Sequence, residues 1–147
     1  MSAEPRALRR ALLPIEQRAA ELPWAHERRW RAQTHAWVEG GVTVLDLHDL
    51  SVKLGLEAVD LALTVEHAAG GLTLITGRGK HSGGRSPLRE AVLTHLAEQG
   101  VPHYAARPGR VEVVWDEGAR SRARGGLGCL FWLTVAALIA GAALGLG

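Results

Sequence analysis

Residues 74–82 read Leu-Ile-Thr-Gly-Arg-Gly-Lys-His-Ser, a strand-like run that passes straight into a loop of two glycines, two cations, an imidazole and a hydroxyl. Glycines let backbone N–H groups come close to a ligand, and Arg78 and Lys80 add positive charge where those groups would point. Such a loop suits a phosphate or another anion better than an apolar molecule. A second polar cluster, Asp46-Leu47-His48-Asp49, also closes an apolar run, residues 42–45. A strand–helix–strand unit with parallel strands crosses right-handed and brings both strands' carboxyl ends to one edge. Ligands of open α/β sheets bind outside that edge. The spacing therefore predicts that the two clusters share a rim, with Asp46 and His48, two apart on a strand, projecting to the same face.

The segments between the clusters fit this arrangement. Residues 42–48 are apolar on both faces until their end, as in a buried parallel strand. Ser51 is a good N-cap, and Val52, Leu56, Val59 and Leu63 give a helical stripe with Lys53, Glu57, Asp60 and Thr64 on its flank. Gly70-Gly71 ends that helix, and residues 72–76 form the next strand. Ser86-Pro87 opens a helix that buries Leu88, Val92 and Leu96 and stops at Gly100. Residues 101–106 and 110–115 read as two strands joined by Arg107-Pro108-Gly109. The order β-α-β-α-β-β defines a small two-layer α/β sandwich spanning residues 41–118.

Residues 1–40 read as a helical N-terminal extension broken by Pro5, Pro14 and Pro23. Residues 24–38 are Arg-rich, and Trp30 and Trp37, seven apart, would share one helical face. That helix could pack on the domain, rest at a membrane surface or touch RNA, and Gly40-Gly41 marks its boundary. Glu16, Arg18 and Glu21 interrupt any apolar run that a secretory signal would need. At the other end, residues 119–126 form a basic linker with Arg120, Arg122 and Arg124. Residues 127–146 then run for twenty positions without a charge. As a helix they would be about 30 Å long, enough to cross a bilayer's hydrocarbon core. Arginines before this span predict a single-pass membrane protein whose domain stays on the cytoplasmic side. Ala137, Gly141 and Gly145 make a small-xxx-small row through which two copies could pair.

The formal net charge of +2 conceals a net-acidic domain: residues 41–118 hold seven Lys/Arg against ten Asp/Glu. Its basic character is local, with Arg78, Lys80, Arg85 and Arg89 inside twelve positions. This argues against coating long nucleic acid by bulk charge while leaving a grip on a few phosphates open. The single cysteine, Cys129, excludes an intrachain disulfide. Two other phosphate motifs fail by residue. A Walker A loop would place glycine at Leu74 and a hydroxyl at His81, and a dinucleotide fingerprint would place glycine at Ser82.

Histidine exchanges protons near neutral pH, and a neighbouring carboxylate fixes its tautomer and raises its basicity, so Asp46 and His48 form a candidate acid–base pair. A bond between them that merely orients the strand end is the alternative. A divalent metal on Asp46, His48 and Asp49 or His81 is a third, chemically suited but unsupported by any His-x3-His or cysteine pattern. His67, His95 and His103 are isolated.

Leu45-Asp46-Leu47-His48, then Thr76-Gly77-Arg78-Gly79-Lys80-His81-Ser82, then Leu88-Arg89 and Val92, resembles the Smr (small MutS-related) domain over about residues 42–116. The resemblance implies a β-α-β-α-β-β sandwich like the C-terminal domain of a bacterial translation initiation factor. It also implies nucleic-acid binding, with RNA cleavage or DNA nicking as the associated activity. Asp46 and His48 match the family's D-x-H pair, and Gly77, Gly79, His81 and Ser82 match its G-x-G-x-H-S loop. Arg89 matches a basic position of the second helix. Asp49 stands where the family usually has glycine, and the final hairpin is short. The expectation is an endonuclease acting on RNA or DNA with Asp46, His48 and Arg89 as catalytic residues. Gly77, Arg78, Gly79, Lys80, His81 and Ser82 would bind phosphate; the competing expectation is a non-catalytic nucleic-acid-binding or adaptor module.

Overall fold

A computed structural model describes residues 5–65, 71–78 and 85–114. Its elements run α1 Arg6–Ala11, α2 Leu13–Ala20, α3 Ala25–Arg28, α4 Ala32–His35, β1 Ala36–Glu39, β2 Val42–Asp46 and α5 Val52–Thr64. They continue with β3 Leu72–Ile75, α6 Pro87–Glu98, β4 His103–Arg107 and β5 Arg110–Val113. The strands form one five-stranded sheet in the order β1-β2-β3-β5-β4. Only the β2–β3 pair is parallel, with Asp46 opposite Ile75. The described residues form a small mixed α/β domain.

Residues 24–38 are not the continuous helix that the tryptophan spacing suggests. Two one-turn helices are followed by a strand, so Trp30 lies before α4 and Trp37 in β1. Gly40 and Gly41, at φ +57° and +81°, close a two-residue β1–β2 hairpin. Two adjacent positive-φ residues are what the right-handed twist of a tight hairpin requires. The N-terminal segment also shares the core of the rest: Leu8, Leu12, Ile15, Ala19 and Trp30 are buried with Leu45, Leu74, Val92 and Val111.

The register explains the layering. Ala36, Leu45, Leu74 and Val111 lie in one row across four strands, and all are fully buried on the helix side. One residue along, Trp37, Val44, Thr73, Glu112 and Tyr104 form a row on the other face. There the Thr73 hydroxyl donates to Glu112 at 2.5 Å.

Helix α5 is rotated relative to the stripe read from its sequence. Val59 and Leu63 are buried as expected, but Val52 is exposed, and Leu54, Gly55, Ala58 and Ala62 complete the inward face. The cause is close approach to α6. A Cβ on Gly55 would fall 2.5 Å from Leu88 Cδ1, so any larger residue there would make the Leu88 side chain shift. Helix α6 buries Leu88, Val92 and Leu96 as its spacing predicts, and Ser86 caps it by accepting from Arg89 N. Among the described residues no helix is long and apolar enough to cross a membrane. The expected membrane span, residues 127–146, lies outside them.

Candidate functional site

At the carboxyl end of β2 the alternation of a strand sets the chemistry. Leu47 is fully buried and its N–H donates to Ile75 O at 2.8 Å. Asp46 and His48 therefore project together on the other side. Asp46 Oδ1 accepts from His48 N at 3.0 Å and lies 2.5 Å from His48 Nδ1. One carboxylate oxygen thus fixes both the backbone and the ring of the residue two positions on.

At the end of β3 the chain turns at Gly77 (φ +79°), and a Cβ built there would touch His48 Cβ at 3.4 Å. The described start of the glycine-rich loop, Gly77, thus lies beside the Asp46–His48 cluster; the rest of that loop lies outside the described residues. The β4–β5 hairpin approaches Gly77 from the far side, a feature missed in the sequence, where that turn reads only as a short connection. Thr76 N donates to Gly109 O at 2.9 Å. Gly109 (φ +80°) lies so close to the Gly77 carbonyl that only a residue without a side chain fits. A cleft of about 280 Å³ opens here, lined by Gly77, Arg78, Arg107, Gly109 and Arg110 among others. Arg107 and Arg110 face each other directly across the hairpin, a like-charge pairing that costs stability unless an anion intervenes. Arg110 reaches Glu39 only at 3.8 Å, while Arg78 and Arg107 make no salt bridge among the described residues. The signal available in sequence was the Arg-Pro-Gly-Arg turn itself, arginines flanking a tight bend. A larger cleft, about 350 Å³, lies between α2 and the start of α5 and includes Arg18, which is already paired with Glu57.

The N-terminal segment pins the His48 loop at three points, none of them foreseen. Trp30 Nε1 donates to Asp46 O at 2.9 Å, Ser51 N donates to the buried Glu27 Oε1 at 2.7 Å, and His35 Nε2 stands 3.7 Å from Asp49 Oδ2. These partners lie 14 to 24 residues upstream in chain segments with no motif of their own, so spacing alone could not reveal them.

Electrostatics act on His48 from both ends of its ring. Partial burial lowers its pKa, but the Asp46 hydrogen bond and charge, with the charge of Asp49, outweigh that and the net shift is upward. Asp49 Oδ1 lies 3.3 Å from Nε2, so both ring nitrogens face carboxylates. The protonated ring, a donor at both nitrogens, is the form this setting favours.

Of the expected site residues, Gly77 lies against His48, which is bonded to Asp46, and Gly77 and Arg78 line the arginine cleft, whose lining includes neither Asp46 nor His48. Gly79, Lys80, His81 and Ser82 lie outside the described residues. Arg89 stands in the first turn of α6, whose cap Ser86 donates its hydroxyl to Thr76 O at 3.2 Å. The Arg89 Nε is buried and has no hydrogen-bond partner among the described residues. Among the described residues no three His, Cys, Asp or Glu side chains converge as a metal site.

Comparison of this chain with models of known families, with curated proteins and with solved structures finds no match in any of the three.

Proposed function

We propose that this chain is an Smr-type nucleic-acid-binding protein that cleaves phosphodiester bonds, in RNA or by nicking DNA, and is held at a membrane by residues 127–146. The observation that carries the reading is the Asp46–His48 couple, joined at 2.5 Å beside Gly77 and the arginine-lined cleft. Asp46 holds Nδ1, which leaves Nε2 as the nitrogen that moves a proton. An imidazole with a raised pKa is partly protonated near neutral pH and serves as acid or base without a large free-energy cost. Arg78, Arg107 and Arg110 would receive the phosphate and stabilise the charge that builds on it. Arg89, in the neighbouring helix end, would add a donor whose Nε has no hydrogen-bond partner among the described residues. On RNA, the neutral fraction of His48 would take the 2′-OH proton on Nε2 as that oxygen attacks phosphorus, and the expelled 5′-oxygen would take a proton from water, leaving a 2′,3′-cyclic phosphate and a free 5′-hydroxyl.

The test is incubation of the full chain, in mild detergent, with end-labelled RNA and DNA, with and without added divalent metal. Cleavage by the wild type and its loss in His48→Ala is the expected result. Cleavage unchanged in His48→Ala removes the assignment. The tether is tested by alkaline extraction of membranes, from which a spanning protein is not released.

A second reading, a non-catalytic nucleic-acid-binding or adaptor module, draws support from Asp49. Its carboxylate sits 3.3 Å from the one ring nitrogen that would meet a substrate. Salt-sensitive retention of RNA or DNA with no backbone cleavage under any metal selects this reading.

A further inference from the structure

Asp49 is shared between two imidazoles. Its Oδ1 lies 3.3 Å from His48 Nε2 and its Oδ2 lies 3.7 Å from His35 Nε2, and the two rings are 6.3 Å apart between centroids. His35 is held for this position. Its Nδ1 lies 2.9 Å from both the Thr34 hydroxyl and the Arg31 carbonyl and 3.2 Å from Arg31 N, and its ring packs 5.3 Å from that of Trp30. With Nδ1 engaged by its own helix turn, Nε2 is the ring nitrogen left to face Asp49. Neither contact to Asp49 is short, which is the geometry of one carboxylate divided between two claimants.

We infer that His35 is a positioning residue for the His48–Asp46 couple and acts through Asp49, holding one oxygen of that carboxylate and drawing it away from His48 Nε2. An incoming phosphate needs that nitrogen clear, and it also repels the Asp49 charge. His35 is the partner to which the displaced carboxylate turns. Among the described residues, the groups facing His48 are Asp46 at the end of β2, Asp49 in the following turn and His35 from α4, with Gly77 presenting only backbone. Those facing His35 are Asp49, the Arg31 backbone and the Thr34 hydroxyl; the Arg31 guanidinium is turned to the Arg28 and Trp30 carbonyls. The consequence for turnover rests on the nuclease reading, but the coupling itself does not.

The experiment is an imidazole NMR titration of the ¹⁵N-labelled full chain in mild detergent, for wild type, His35→Phe, Asp49→Asn and the double variant. Phenylalanine keeps a ring against Trp30 but cannot hold a carboxylate. In His35→Phe the Asp49 charge falls to His48 alone, and the His48 midpoint moves up. In Asp49→Asn it moves down, and adding His35→Phe to Asp49→Asn moves it little further. A His48 midpoint unmoved by His35→Phe overturns the inference. So does an equal shift in both backgrounds, which means that His35 acts on His48 directly. If the nucleic acid is not cleaved at all while the titrations couple as described, the nuclease reading fails and this one stands. If cleavage occurs with uncoupled titrations, the reverse holds.

Discussion

Gly109 packs against Gly77 so closely that a Cβ on the former would stand 2.9 Å from both the carbonyl carbon and oxygen of the latter. Both residues also take positive φ, at +80° and +79°. The hairpin tip and the loop after β3 are thus joined backbone to backbone, and the arginines on either side are carried to the cleft by that contact. Gly109→Ala meets two penalties at once, left-handed backbone strain and a clash with main chain that has no rotamer to escape into. A loss of about 2–4 kcal/mol is expected. Urea denaturation measures it, and a variant within about 0.5 kcal/mol of wild type would show that the contact is not made in solution.

The pairing of Arg107 with Arg110 predicts a salt signature. If each guanidinium meets one phosphate, replacing either by Ala lowers the slope of log K against log salt by about 0.7 for a single strand and about 0.9 for duplex DNA. The loss should be uniform across sequences, since phosphate contacts carry no base information. Fluorescence anisotropy at several salt concentrations reads the slope directly. Slopes equal to wild type in both variants would remove the hairpin from the binding surface.

Much of this site was legible in the sequence because its parts obey short-range rules. Asp46 and His48 are two apart on a strand, and Ser86-Pro87 and Gly77 announce a helix start and a turn. Parallel pairing of β2 with β3 then places Asp46 beside Ile75. What escaped depends on long-range packing. Residues 24–38 carry good helix formers, yet tertiary pairing with β2 turned their last part into an edge strand. Likewise the buried face of α5 was set by Leu88 against Gly55, and the stripe of larger apolar residues did not decide it. His35 and Glu27 belong to the site only because that edge strand pairs where it does.

The upward shift of His48 fixes the sign of a pH effect. In the unfolded chain the imidazole titrates near its ordinary value of 6.5, and in the folded chain it titrates higher. The folded state binds that proton more tightly. Its stabilising contribution is therefore complete below the unfolded value and is lost as pH rises through the folded one. With the side chain 46 % exposed, solvent screens part of the effect, so the comparison is between variants. His48→Gln should cost more stability at about pH 5.5 than at about pH 8.5, seen as a larger gap in urea midpoint. A gap that widens toward alkaline pH contradicts the Asp46–His48 pairing.

Trp30 links stability to the site through one bond. The residue is fully buried, and its Nε1–H reaches the main-chain oxygen of Asp46 at 2.9 Å. Trp30→Phe keeps an aromatic ring but leaves that carbonyl without its donor and opens a small void. Together these are expected to cost about 2–3 kcal/mol. The same bond sets the direction in which Asp46 leaves β2, and a displacement of about 1 Å in such a group can cost about a hundredfold in rate. Under the nuclease reading, then, Trp30→Phe lowers kcat at temperatures where the variant remains folded and leaves phosphate affinity nearly intact. Arg107→Ala does the opposite, weakening affinity first. Measuring both variants for folding, binding and cleavage separates the clamp from the cleft. If Trp30→Phe weakens binding as much as Arg107→Ala does, the N-terminal segment itself contacts the nucleic acid, and its role as a clamp on Asp46 is wrong.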